Sequence, residues 1–220
     1  MDDTTPTPTP ATEQLEAIAK EEATPTPAKK VDLPQTPIFG KYPSDKIEVP
    51  DVGLARYISL EAVGVMHHSA RHANKHFGKT KVHLVERLIN DIMRSETYQG
   101  KKSKAYNAVE LAFARVAEKT KENPVQVLVT AVINAAPREE VTRLRYGGIN
   151  VPKSVDVAPL RRLNVALRHI ATGATEASFK STKPIDQCLA DEIMKCAKND
   201  PQSFAVGKKD EVERVAKSAR

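Results

Sequence analysis

From Val52 onward, apolar residues return every three or four positions in one segment after another. That spacing lines one face of an α-helix. Of all the sequence features this one constrains the fold most, because such stripes can be buried only by packing helix on helix. Val82, Val85, Leu88, Ile89, Ile92 and Met93 predict a helix over 81–95. Ala105, Ala108, Val109, Ala112, Phe113 and Val116 predict another over 102–120. Leu160, Leu163, Leu167 and Ile170 form a third stripe, and Ile185, Cys188, Leu189, Ile193 and Cys196 a fourth. Val212, Val215 and Ala216 suggest a last helix over 209–219, and 52–59 reads as about two turns.

Capping residues support these boundaries. In Asn123-Pro124-Val125-Gln126, Asn can accept from the free amides of a first turn and Pro fits that turn. Gln126 can reach back as in a capping box. That helix should stop before Pro137, while Pro159 and Pro184 each open a helix of their own. The fold class is mainly α, a domain of about six helices over 51–220.

One segment breaks the rhythm. Residues 140–157 are rich in β-branched side chains around Gly147-Gly148-Ile149-Asn150, which predicts a protruding β-hairpin. Closing it by pairing Gly147 with Asn150, or Tyr146 with Val151, sets Arg143 opposite Ser154 and Arg145 opposite Pro152 on one face. The other face carries Thr142, Leu144, Tyr146, Val151, Lys153 and Val155.

Residues 1–50 are of another kind. They hold nine of the 15 prolines, in runs such as Thr4-Thr5-Pro6-Thr7-Pro8-Thr9-Pro10, with five basic and nine acidic side chains. Alternating proline prevents a helix, and 1–37 reads as a flexible acidic tail followed by an extended segment. The sequence lacks an apolar run long enough to span a membrane. Its start, Met1-Asp2-Asp3, is unlike a signal peptide, so a cytoplasmic protein without membrane contact is expected. The two cysteines, Cys188 and Cys196, lie eight apart on one helix, ~12 Å of rise, too far for a disulfide.

The charge balance points to the partner. The whole chain carries +6 and residues 51–220 carry +10, which suits a polyanion. Basic residues gather in four places. The first is His67, His68, Arg71, His72, Lys75, His76, Lys79 and Lys81, and the second is Lys101, Lys102 and Lys104. The third is the hairpin, with Arg138 at its base, then Arg143, Arg145 and Lys153; the fourth is the face of Arg161, Arg162 and Arg168 opposite the leucine stripe. A metal site among the histidines is disfavoured, since the stretch from His67 to Lys81 holds no acid but four Lys or Arg side chains, Arg71, Lys75, Lys79 and Lys81. Gly78-Lys79-Thr80 resembles the end of a phosphate-binding loop, but Ala73 stands where that motif needs glycine and no strand precedes it. Neither Gly100-Lys101-Lys102-Ser103 nor Arg138-Glu139-Glu140 makes a catalytic set, so no enzyme and no cofactor is expected. Few aromatics lie among the cations, so recognition of phosphate and RNA shape is favoured over base stacking.

Four ordered blocks carry a resemblance. They are Lys81-Val82-His83-Leu84-Val85-Glu86-Arg87-Leu88-Ile89-Asn90, Glu122-Asn123-Pro124-Val125-Gln126-Val127-Leu128-Val129 through Ala136-Pro137-Arg138-Glu139, Val155-Asp156-Val157-Ala158-Pro159-Leu160-Arg161-Arg162-Leu163, and the ending from Lys208-Lys209-Asp210-Glu211 to Ser218-Ala219-Arg220. Together they resemble the universal small-subunit ribosomal protein S-seven family, in its archaeal and eukaryotic branch. The resemblance implies a non-catalytic protein of the small ribosomal subunit. Such a protein binds the three-prime major (head) domain of the rRNA, nucleates its assembly, and touches neighbouring head and platform proteins. It further implies that Arg71 to Lys81, Arg138, Arg143, Arg145, Arg161 and Arg162 contact rRNA, while the other basic residues above are rRNA-contact candidates by their charge. The hairpin tip, Tyr146, Gly147, Gly148, Ile149, Asn150 and Val151, is then expected near the exit-site tRNA and departing mRNA. A free-standing regulator binding an mRNA segment is the alternative use of the same surface.

Overall fold

The computed structural model describes residues 37–44, 47–61 and 63–220. The stretch read as a tail over 1–37 lies outside the described residues but for its last position. Among the described residues the chain forms seven α-helices and one antiparallel hairpin, a mainly α fold. In order they are α1 (Val52–Ala55), α2 (Leu84–Met93), α3 (Lys102–Thr120), α4 (Pro124–Ala135), β1 (Glu139–Tyr146), β2 (Ile149–Asp156), α5 (Pro159–Ser178), α6 (Ile185–Ala197) and α7 (Phe204–Ser218). Two 3-10 turns, Arg71–Asn74 and Gly78–Lys81, lie between α1 and α2.

Helix α4 is apolar on nearly every side and is packed among α3, α5, α6 and α7. An all-round apolar helix belongs at the centre of a bundle. Asn123 caps it by accepting from the Val125 amide at 3.0 Å. Gln126 does not complete the capping box. Its amide instead pairs with the backbone of Glu48, accepting from the N–H at 2.9 Å and donating to the carbonyl at 3.0 Å. The segment before α1 is thereby fastened to the bundle. Its Ile38 is fully buried, and Phe39 meets Phe113 edge-on at 5.7 Å. Burying one isoleucine contributes ~2 kcal/mol, a core role the extended reading of this segment did not give it.

The stripe over α3 is buried residue for residue. Three boundaries differ from the reading above. Helix α1 is one turn long, because the chain leaves it so that Ser59 can bridge to His83. Helix α2 starts after His83, whose Nδ1 accepts from the Val85 amide at 3.1 Å and acts as the cap. Helix α7 starts five residues before position 209, where Ser203 caps it and both Ser203 and Ala205 are held by the buried Glu192 carboxylate. Its buried residues are Ala205, Val206 and Ala216, whereas Val215 is half exposed.

The hairpin register also differs. Arg143 stands opposite Pro152 and Arg145 opposite Asn150, two places from expectation. Gly147 and Gly148 have φ of 54° and 88°, the pair of positive values a two-residue type I′ turn requires. They form that turn alone, and Tyr146 pairs with Ile149. Side chains alternate with period two, so a two-place shift leaves every residue on the face assigned to it.

Candidate nucleic-acid interface

The interface begins with a buried acid. Glu86 lies within the apolar stripe of α2, four residues after Val82 and three before Ile89, and it is 1% exposed. A carboxylate in such a place needs partners. It accepts from the His68 backbone amide at 3.0 Å, from His68 Nδ1, and from Lys102 Nζ at 2.8 Å. Burial alone would raise its pKa, but the hydrogen bonds from Lys102 and His68 together hold it below the usual carboxylate value. Glu86 therefore fastens the first basic cluster and the second onto α2. His67, His72, Lys79 and Lys102 line one cleft of about 490 Å³ with Arg87 and Arg94.

Around this anchor, residues 67–81 form the two 3-10 turns and not a helix, so His68, His72 and His76 are not aligned as a helical row. Among the described residues no group of three His, Cys, Asp or Glu side chains is placed to hold a metal ion. Gly78 has a structural reason of its own: a Cβ there would lie 2.5 Å from the His72 carbonyl oxygen. Arg71, Lys75, His76 and Lys81 are exposed, and no ion pair involves them among the described residues. Lys79 is half-buried, and burial lowers its pKa although Asp91 opposes that shift. His72 is partly covered, and its buried Nδ1 has no hydrogen-bond partner.

The second cluster divides. Lys102 is engaged with Glu86, Lys101 is exposed, and Lys104 lies over the Tyr98 ring at 5.5 Å. Arg143 and Arg145 share one face of the hairpin, and Lys153 lies on the other with Leu144, Tyr146, Ile149 and Val151. Arg143, Arg145, Lys153 and Arg138 are exposed. At the tip, Tyr146, Ile149 and Val151 are 64%, 69% and 43% exposed on one face. The hairpin base is clamped by the C-terminal helix. The Ser154 amide donates to the Ala219 carbonyl, the Arg138 amide to Glu213, and Arg220 pairs with Glu139.

The arginines of the fourth cluster that precede Leu163 are both paired. Arg162 donates to Asp51 at 3.1 Å and to the Pro137 carbonyl at 3.2 Å, and Arg161 pairs with Glu140 at 2.9 Å. The sequence reading also passed over Arg87, which is 3% exposed and bridges the Tyr57 carbonyl and Asn164 of α5. Burial pushes the Arg87 pKa down to about 10. Its signal, like that of Glu86, was a charge placed between apolar positions of a strong stripe.

A helical body with exposed cations on a loop and on a projecting ribbon has counterparts among known proteins. Residues 55–220 match the family described as ribosomal protein S7p/S5e. The chain belongs to that family. It is 56% identical over 183 residues to the small ribosomal subunit protein uS7 of Thermoplasma volcanium, covering 83% of this chain and all of the relative. Identity to the protein of the same name from Archaeoglobus fulgidus is 57%, over 83% of this chain and 94% of the relative. For that of Methanothermobacter thermautotrophicus the values are 50%, 83% and 98%. The chain is thus a structural ribosomal protein and not an enzyme.

Proposed function

We propose that this protein binds the head (three-prime major) domain of small-subunit rRNA in the cytoplasm, nucleates head assembly there, and packs against neighbouring head and platform proteins. The observation that carries the reading is the pair of free basic surfaces, the 67–81 loop and the Arg143–Arg145 face of the hairpin, in a chain of this family. Exposed cations without acidic partners are available for phosphate, and arginine can grip it bidentately. The uncharged hairpin tip lies near the exit-site tRNA and the path of departing mRNA, as the family resemblance implies, and adds little to rRNA affinity.

Titrating the full chain with an rRNA fragment of the head domain at increasing salt tests the reading. Counterion release should make log K fall linearly with log salt, by about 0.7–0.9 per phosphate contact. A salt-independent affinity would reject the electrostatic surface. The protein should also sediment with small subunits after a high-salt wash. A regulator that binds only an mRNA segment would keep the salt slope and fail to sediment.

A further inference from the structure

One aromatic ring stands apart from the bundle. Phe77 is 55% exposed and sits with φ 54° and ψ 10°, in the left-handed region that bulky side chains rarely enter. The loop holds it there. The Thr80 hydroxyl and amide both donate to the Phe77 carbonyl, at 2.8 and 3.0 Å, and the Gly78 amide donates to Lys75 at 2.9 Å. The His76 ring lies perpendicular to the phenyl ring at 4.4 Å, so it can cover at most one of its two faces. Packing does not explain a strained backbone that presents an apolar ring to water. Its surroundings do suggest an occupant. Arg71, Lys75, His76, Lys79 and Lys81 share this short loop, and residues 62–85 contain no acid. The other exposed phenyl ring, Phe179, shares a cleft with Glu96 and Glu176, which would repel phosphate.

We propose that Phe77 is a stacking platform for an unpaired nucleobase of the RNA whose phosphates the surrounding cations hold. The inference rests on the RNA-binding reading above and adds a base contact to a surface otherwise suited only to phosphate and shape. Stacking on an aromatic side chain is tolerant of base identity and is worth about 5- to 100-fold in affinity per base.

The chain contains no tryptophan, so Phe77→Trp introduces one fluorophore at the site. Single-stranded oligoadenylate of about ten nucleotides and inorganic polyphosphate are the two probes. Oligoadenylate should quench the indole, whereas polyphosphate should bind the cations and leave the emission nearly unchanged. Phe77→Asn removes the ring and suits the left-handed backbone, so it should melt no lower than the parent. It should bind oligoadenylate about 5- to 100-fold more weakly with the same salt slope, and polyphosphate equally well. Equal quenching by both probes would overturn the inference, as would unchanged oligoadenylate affinity in Phe77→Asn. If salt dependence survives in either case, the RNA-binding reading stands without the stack. A parent chain that bound neither probe would remove both.

Discussion

The loop over 67–81 and the junction where the hairpin meets α5 both gather basic residues, yet they use their charge in opposite ways. In the loop one buried acid, Glu86, takes His68 and Lys102, and the remaining exposed cations face solvent. At the junction Arg161 and Arg162 each meet a carboxylate, Glu140 and Asp51. A count of basic residues therefore overstates the surface available to RNA. What matters is how many positive charges remain after the fold has used its share.

The strongest way to break this contrast is to remove the loop's anchor. Glu86→Leu leaves His68 and Lys102 without their carboxylate and frees the basic segment from α2. Breaking a buried ion pair commonly costs 3–5 kcal/mol, and because both cations are partly exposed the loss here should be about 3 kcal/mol. Urea denaturation would measure it, and hydrogen exchange should quicken across 67–76. A loss below ~1 kcal/mol would mean that the loop is held by something other than Glu86.

The same region should also be sensitive to acid. His83 is fully buried, its Nδ1 accepts from the Val85 amide, and its Nε2 has no partner. Burial lowers its pKa to about 4, although Glu86 pulls the other way. The unfolded chain takes up this proton near pH 6.5 and the folded chain does not, so stability declines as pH falls from about 6.5 toward 4. At about 1.4 kcal/mol per pH unit, some 2 kcal/mol should be lost by pH 5. Glu86, held low, contributes only under more acidic conditions, losing its share as pH falls below the ordinary carboxylate range through its folded value. His83→Asn keeps a capping side chain without the titrating ring, so its urea midpoint should change much less between pH 7 and pH 5. An unchanged slope would assign the acid sensitivity elsewhere.

Why the loop was harder to read than the bundle follows from the kinds of interaction involved. The α3 stripe was legible because helical period and burial report the same property, and Asn123-Pro124 announced α4 through local chemistry alone. Gln126 and Ile38 were not legible as links between the N-terminal segment and the bundle, since their partners lie far away in sequence. The hairpin's faces could be read from alternation, but its register depended on which two residues made the turn, Gly148 with Ile149 as the closure by Gly147 and Asn150 supposed or Gly147 with Gly148 as found. Among candidate site residues, sequence located the cations and could not tell free ones from paired ones. Glu86 and Arg87 had a visible signal, charges set into an apolar stripe, but their partners on other segments had none.

A smaller effect separates free from paired arginine directly. Arg143 and Arg145 are exposed on one face of β1, with Pro152 and Asn150 opposite them. Changing both to alanine should weaken binding to a head-domain rRNA fragment roughly tenfold at moderate salt and reduce the salt slope by about 1.5. Thermal stability should hardly move, because neither side chain is packed. An unchanged slope would remove the hairpin arginines from the interface.

The smallest effect is the most discriminating. Arg161 and Glu140 form an exposed pair, their side chains 62% and 25% exposed, and such pairs contribute about 0–1 kcal/mol. Arg161→Gln should therefore alter stability by less than ~0.5 kcal/mol, with little change in rRNA affinity, because its charge is already matched. Glu140→Gln is the informative partner. It leaves the fold nearly as stable but releases the guanidinium beside the hairpin base, where Arg138 is also exposed. If charge taken up by the fold is what distinguishes the junction from the loop, this one neutralisation should tighten rRNA binding about two- to fivefold and steepen the salt slope by up to one contact. A variant that binds as the parent does would show that the junction faces away from RNA whatever its charge. Weaker binding from Arg161→Gln than from the Arg143 and Arg145 pair would reverse the comparison.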